Sequence, residues 1–213
     1  MNRIYIIMLF ICASLNVIAQ DNYLEKYPVE ILEITSANFE WNQFDKDDAE
    51  CKFRKNALVL ECKDKKSHAV TTTELDFDVT NVDYILIYQF DATDLDDDKP
   101  FGIIYDYKNG NNFQTLCFGK KNFQILSYET GEKNIIKEGL YKIENKKNVM
   151  VTVLKRGKRL DFYLGSQNLP LTTIRNHEMK NSNIGFYVEG KTKMKLTGIG
   201  YRLIIENEEE DKD

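Results

Sequence analysis

The run Glu74-Leu75-Asp76-Phe77-Asp78 holds three carboxylates at alternate positions. On a strand, alternate side chains share one face, so the three acids would line up together. Retaining glycoside hydrolysis uses two carboxyl groups about 5 Å apart, one a nucleophile and one a general acid/base. Acids placed like Glu74, Asp76 and Asp78 could supply such a pair. Against this, Asp78 is one methylene shorter than Glu and would hold its proton short of a leaving oxygen. The same alternation also arises in any half-buried strand with Leu75, Phe77 and Val79 inward and acids outward.

A second acidic group, Asp91, Asp94, Asp96 and Asp98, sits in one short segment before Pro100. Clustered carboxylates are what a hard cation such as calcium takes. The EF-hand spacing fails, however, because Lys99 stands at the sixth position from Asp94 where Gly is required, and Tyr105 at the twelfth. The alternative is a solvated loop whose charges discourage edge pairing.

Tyr105, Tyr107, Tyr163 and Tyr187, with Asp106, Asp161 and Glu189 among them, could form a sugar platform. Rings stack on the apolar C–H faces of sugars while carboxylates and amides bond the hydroxyls. Twelve Tyr and twelve Phe must also fill a core, so packing competes for the same residues. His68 and His177 stand alone, with no G-x-S-x-G and no C-x-x-C, so neither a nucleophile–base pair nor a zinc cluster is indicated. Cys51 and Cys62 bracket FRKNALVLE. A reversal through Lys55-Asn56-Ala57-Leu58 would put them opposite each other for a disulfide; the alternative is that both, with Cys117, are buried thiols.

These residues need elements to position them. Val149, Val151 and Val153, then Leu160, Phe162 and Leu164, alternate with other residues around Arg156-Gly157, which reads as a hairpin of half-buried strands. Similar runs occur at Cys51–Phe53, 57–62, 68–79, 82–91, 101–107, 113–118, 123–128, 168–171, 184–188 and 194–205, separated by short Gly- and Asn-bearing turns. Gly165-Ser166 fits a type II′ turn. No long helical period interrupts them. The expected fold is all-β, a two-sheet antiparallel β-sandwich, with Trp41 in its interior.

The ends read differently. Arg3 precedes an apolar Ile4–Ala13 and a Val17-Ile18-Ala19 cleavage pattern, so residues 1–19 are expected to be a signal peptide. A leader over 20–28, the sandwich over 29–205 and an acidic, disordered tail over 206–213 follow. Export would place the chain in the periplasm, at the cell surface or outside the cell, with no transmembrane span after processing. Loss of Arg3 takes the net charge from −5 to −6, which argues against nucleic acid as a partner.

Phe101-Gly102-Ile103-Ile104-Tyr105-Asp106-Tyr107, Asn112-Phe113, Val151-Thr152-Val153, Leu160-Asp161-Phe162-Tyr163-Leu164 and Ile184-Gly185-Phe186-Tyr187-Val188 occur in this order. Together they resemble the concanavalin A-like lectin/glucanase superfamily, in particular its laminin-G-like, non-catalytic branch. The resemblance implies a jelly roll of two sheets and a recognition module for a glycan or a protein, with calcium at a loop rim in some members. It also implies the alternative of a laminarinase-like hydrolase, whose active strand reads E-x-D-x-E and would make Glu74 the nucleophile, Asp76 the helper and Asp78 the acid/base; a structural part of an envelope complex is a further alternative, apart from the resemblance. The Trp-bearing aromatic strand expected before that active motif is replaced here by Thr71-Thr72-Thr73, and Gly165-Ser166 stands where the family often has Asn-Gly.

Overall fold

Alternation of apolar and polar residues turns one face of each strand inward, and two such layers bury their apolar faces against each other. A computed structural model describes residues 23–35, 40–55, 57–92 and 99–205. The proposed signal peptide, the acidic tail, and Asp94, Asp96 and Asp98 lie outside the described residues. Among the described residues a helical turn, α1 (Tyr23–Lys26), precedes fifteen strands. They are β1 (Leu32–Glu33), β2 (Phe44–Asp45), β3 (Ala49–Arg54), β4 (Ala57–Cys62), β5 (His68–Glu74), β6 (Asp83–Asp91), β7 (Phe101–Asn109) and β8 (Asn112–Phe118). The remainder are β9 (Asn122–Glu129), β10 (Glu132–Leu140), β11 (Val149–Arg156), β12 (Arg159–Leu164), β13 (Thr172–Ile174), β14 (Asn183–Glu189) and β15 (Thr192–Ile204). One sheet has the order β13-β12-β11-β6-β15-β4-β3-β2, with β1 also on β15; the other runs β10-β9-β8-β7-β14-β5. All pairings are antiparallel.

Rings from both sheets interlock in the gap. Phe186 on β14 meets Tyr88 edge-on at 5.4 Å and Phe90 at 5.9 Å, both from β6 of the opposite sheet. Trp41 packs on the same ring at 5.6 Å, in the interior as expected. Phe101, Phe162, Val149, Val151, Val153, Leu160 and Leu164 point into this core, as the alternation predicts. The buried Tyr88 hydroxyl donates to the Ile104 carbonyl at 2.8 Å, a polar tie from one sheet to the other.

Several sequence expectations need correction. The Cys51–Cys62 disulfide does not form: both thiols are free and buried. Arg54 pairs with Ala57, so the reversal at Lys55 (φ 57°) is two residues rather than four. Cys51 then faces Leu60 and Cys62 faces Ala49, leaving the cysteines as diagonal neighbours. Diagonal pairs lie about 7–8 Å apart, beyond the usual reach of a disulfide. Burial pushes the Cys51 thiol up to about 11 and Cys117 to about 12. Gly165-Ser166 does not form a hairpin turn into 168–171. The chain instead loops from Leu164 to Thr172, and β13 pairs with β12 through Phe162 and Thr172. The charged segment of β10 carries no inward alternation and was not expected to be a strand. Its backbone nonetheless pairs along β9.

Phe186→Ala is expected to cost about 3–5 kcal/mol by leaving a cavity among three rings, read as a lower denaturation midpoint in urea. Alkylation in denaturant without reductant should label Cys51, Cys62 and Cys117 alike. A Cys51–Cys62 peptide found by mass mapping would overturn the register.

Candidate functional site

The edge strand β5 has its partner β14 on one side only, and its free edge is covered by the chain around Trp41. Asn42 N–H donates to the Thr72 carbonyl at 3.0 Å, and the Thr71 hydroxyl donates to the Asn42 carbonyl at 2.9 Å. On the other side β14 comes so near that a Cβ on Gly185 would lie 2.0 Å from the Thr71 carbonyl oxygen. These contacts hold the end of β5 as one wall of a groove of about 740 Å³. Trp41, Tyr107 and Tyr201 contribute rings, while Glu40, Asn42, Glu74, Asp76 and Asn183 contribute acceptors and amides.

The carboxylates of the groove are already oriented. Glu74 accepts from Ser182 Oγ at 3.3 Å, and Asp76 accepts from the Tyr201 hydroxyl. That hydrogen bond is the main cause lifting the Tyr201 pKa to about 12, with burial adding to it. Asp78, in contrast, is not beside them. β5 ends at Glu74, Leu75 turns into the core, and its N–H bonds to the Ser182 carbonyl at 3.0 Å. The chain bends at Asp76-Phe77, and Asp78 accepts from Thr80 N–H, the Thr80 hydroxyl and Asn81 Nδ2. Those bonds hold its carboxyl below the ordinary range, led by the Thr80 hydroxyl. The three acids therefore do not alternate on one strand, and the strand geometry that the alternative hydrolase reading needs is absent. A general acid requires a raised pKa, which is the opposite of what this turn does to Asp78.

The tyrosine platform is dispersed. A β-bulge between Ile104 and Asp106 sends Tyr105 and Tyr107 to opposite faces although they are two residues apart. Tyr105 is buried in the core against Phe162 at 5.1 Å, its hydroxyl donating to Gln114 at 2.9 Å. Tyr107 is half-buried and reaches the groove. Tyr163 is buried on the outer face of the nine-stranded sheet with Ile85, Leu154 and Ile204. Tyr187 lies on the outer face of the six-stranded sheet, under His68 at 5.6 Å and against Phe113 and Tyr128. Its hydroxyl donates to Glu189 at 2.7 Å, and Lys133 Nζ donates to the same oxygen at 2.8 Å. Burial opposes charge on Glu189, but these two donors outweigh it and hold its pKa low. Of the four tyrosines, Tyr107 alone lines the groove.

The same bulge turns Asp106 inward. It accepts from Asn181 Nδ2 at 2.7 Å and lies 3.8 Å from His177 Nε2, which is buried and has no hydrogen-bond partner among the described residues. The surroundings of His177 are Asp106, Glu178, Lys180 and the Tyr105 ring. Asp91 ends β6 beside the acidic segment, whose other members lie outside the described residues. Among the described residues no three His, Cys, Asp or Glu side chains are placed to hold a metal ion, and no helix is long and apolar enough to cross a membrane. Trp41, Asn42, Asn183 and Tyr201 were not recognisable as site residues in sequence. They come from three separate segments and share no spacing.

No protein-family model and no curated protein matches the chain. Solved structures do match it in fold. A carbohydrate-binding module, CBM66 from Bacillus subtilis, superposes with a TM-score of 0.57 at 11% identity, over 78% of this chain and 97% of that one. The VIP36 exoplasmic/lumenal domain, in a form bound to Ca2+ and Man3GlcNAc, gives 0.58 at 7% identity over 84% and 92%. A xylan β-1,4-xylosidase from Bacillus halodurans gives 0.55 at 12% identity; the match covers 76% of this chain but only 36% of the enzyme.

Burial pushes the His177 pKa down against the pull of Asp106. Above about pH 6.5 both folded and unfolded chains carry it neutral. Below that, the unfolded chain takes up the proton first, so stability falls with pH until the lower, folded value is passed. His177→Gln should flatten that part of the curve of melting temperature against pH. An unchanged slope would place the effect elsewhere. Together, the two-layer order of strands and these superpositions make the chain an all-β sandwich of the concanavalin A-like jelly-roll type.

Proposed function

We propose that the chain is an exported, non-catalytic recognition module that binds a glycan in the groove beside β5. The observation that carries this reading is the groove itself, where three rings from separate segments stand among carboxylates and amides. At about 740 Å³ it is within the roughly 300–1,000 Å³ of small-molecule sites. Rings would stack on sugar C–H faces, and Glu74, Asp76, Asn42 and Asn183 would bond hydroxyls. Asp78, committed to its own turn, supports binding over hydrolysis. The superposed structures include a carbohydrate-binding module and a domain holding an oligosaccharide, which agrees with the reading. Export rests on the pattern in residues 1–19, and affinity with the laminin-G-like branch rests on the sequence phrases alone.

One observation favours a second reading as an assembly component of an envelope complex. The edge strand β10 exposes Ile135, Ile136 and, at 90%, Leu140. Apolar side chains on an unpaired edge suit a protein contact.

A glycan array followed by calorimetry on residues 20–213 tests the first reading. Tyr107→Ala and Asn183→Ala are each expected to weaken a bound glycan about tenfold, equivalent to ~1.4 kcal/mol, with unchanged melting temperature. Silence on every glycan, or binding indifferent to both substitutions, would overturn the groove as the site and leave the assembly reading.

A further inference from the structure

The groove beside β5 does not stop at Tyr107. A further hollow of about 270 Å³ adjoins it, with Asn42, Phe44, Lys46, Asp48, His68 and Tyr107 among its walls. Asn42 and Tyr107 line both spaces, so the two meet along these side chains and form one cleft.

Two runs of chain build this cleft. β5 turns alternate residues to the outer face of the six-stranded sheet, where they pair with Glu189, Tyr187, Gly185 and Asn183 of β14. His68 and Val70 floor the smaller hollow, and Thr72 and Glu74 floor the larger. The segment covering the free edge of β5 runs the opposite way. It is tied down where Asn42 N–H meets the Thr72 carbonyl, and it continues through Phe44 and Lys46 to the His68 end. Six residue steps from His68 to Glu74 make the cleft about 20 Å long. The far end is fixed by rings: His68 lies against Phe113 at 6.0 Å, Tyr128 at 5.3 Å and Tyr187 at 5.6 Å. The charged side chains along the cleft are Glu40, Glu74, Asp76 and Asp48 against Lys46. Burial holds the His68 pKa below its ordinary value, so at pH 7 the imidazole adds no charge. Carboxylates in such excess repel an anionic ligand.

We infer that the cleft takes an uncharged oligosaccharide lying along β5, with the hollow between Tyr107 and His68 as a second subsite for one of its sugar units. The inference rests on the proposed glycan function of the groove and adds the length and charge of the ligand. The hollow, at about 270 Å³, is just under the roughly 300 Å³ at which ligand pockets begin, so by itself it holds one unit. Lys46 and Asn42 donate to its hydroxyls, Asp48 accepts from them, and Tyr107 offers a ring face on the boundary between the subsites. A cleft of this length is longer than a disaccharide, so a short sugar leaves one subsite empty.

The test is calorimetry on the protein with β-1,4-glucan, β-1,4-xylan and β-1,3-glucan oligomers of two to six units. In a series that binds, affinity should rise about tenfold from dimer to tetramer and level off beyond. Lys46→Ala and His68→Gln should each bring the tetramer back toward the dimer's affinity. Lys142→Ala, which removes a charge on the segment after β10, should leave the rise as it is. A tetramer no tighter than the dimer, or a rise indifferent to both substitutions in the hollow, would overturn the second subsite. The groove reading would then still stand if the dimer depends on Tyr107 and Asn183. A galacturonate tetramer binding as tightly as the neutral one would overturn the uncharged class. Silence from all three series would overturn this inference, and the glycan array decides separately whether the groove reading falls with it.

Discussion

The interlocking of rings across the gap between two sheets is the constraint on which the rest of the molecule depends. Phe186 projects from β14 into a space bounded by Tyr88 and Phe90 of the facing sheet, with Trp41 closing one side. Close-packed interiors respond to the loss of even a few methylenes, so these rings set both the spacing of the sheets and the position of their ends. The Tyr88 hydroxyl adds a direction to this contact by bonding the Ile104 carbonyl across the gap. Because Trp41 belongs both to that cluster and to the rim of the groove, the wall of the candidate site is anchored in the core.

From that anchor follows the character of the cleft. The groove is walled by an edge strand and the segment that covers it, so its polar groups project from several parts of the chain. Glu74 and Asp76 serve there as hydrogen-bond acceptors already aimed by Ser182 and Tyr201. Past Tyr107 the same two runs of chain continue to Lys46 and His68.

The core was legible in sequence wherever the two-residue period ran undisturbed. Val149, Val151, Val153, Leu160, Phe162, Leu164 and Phe186 face inward as their alternation requires. It failed where the backbone departs from that period. At the bulge after Ile104 an additional residue enters the strand, so Tyr105 goes into the core, Tyr107 goes out and Asp106 turns toward His177. At Leu75 the strand stops, and the acids that follow no longer share a face with Glu74. At Lys55 the reversal is two residues tighter than expected, and a slip of that size separates Cys51 from Cys62. β10 escaped notice for another reason: an edge strand lying over no core has no hydrophobic pattern to announce it.

By itself, the sequence determined the all-β class, the antiparallel two-layer plan and most inward-facing rings, because burial acts locally on alternate residues. Only the tertiary structure decided which polar residues meet. Trp41, Tyr107, Asn183 and Tyr201 converge on one groove, and Lys46 and His68 on its continuation, through pairings between strands distant in the chain. Bulges, strand ends and turn lengths control those pairings. Each is a one- or two-residue event of backbone geometry that composition and periodicity do not encode.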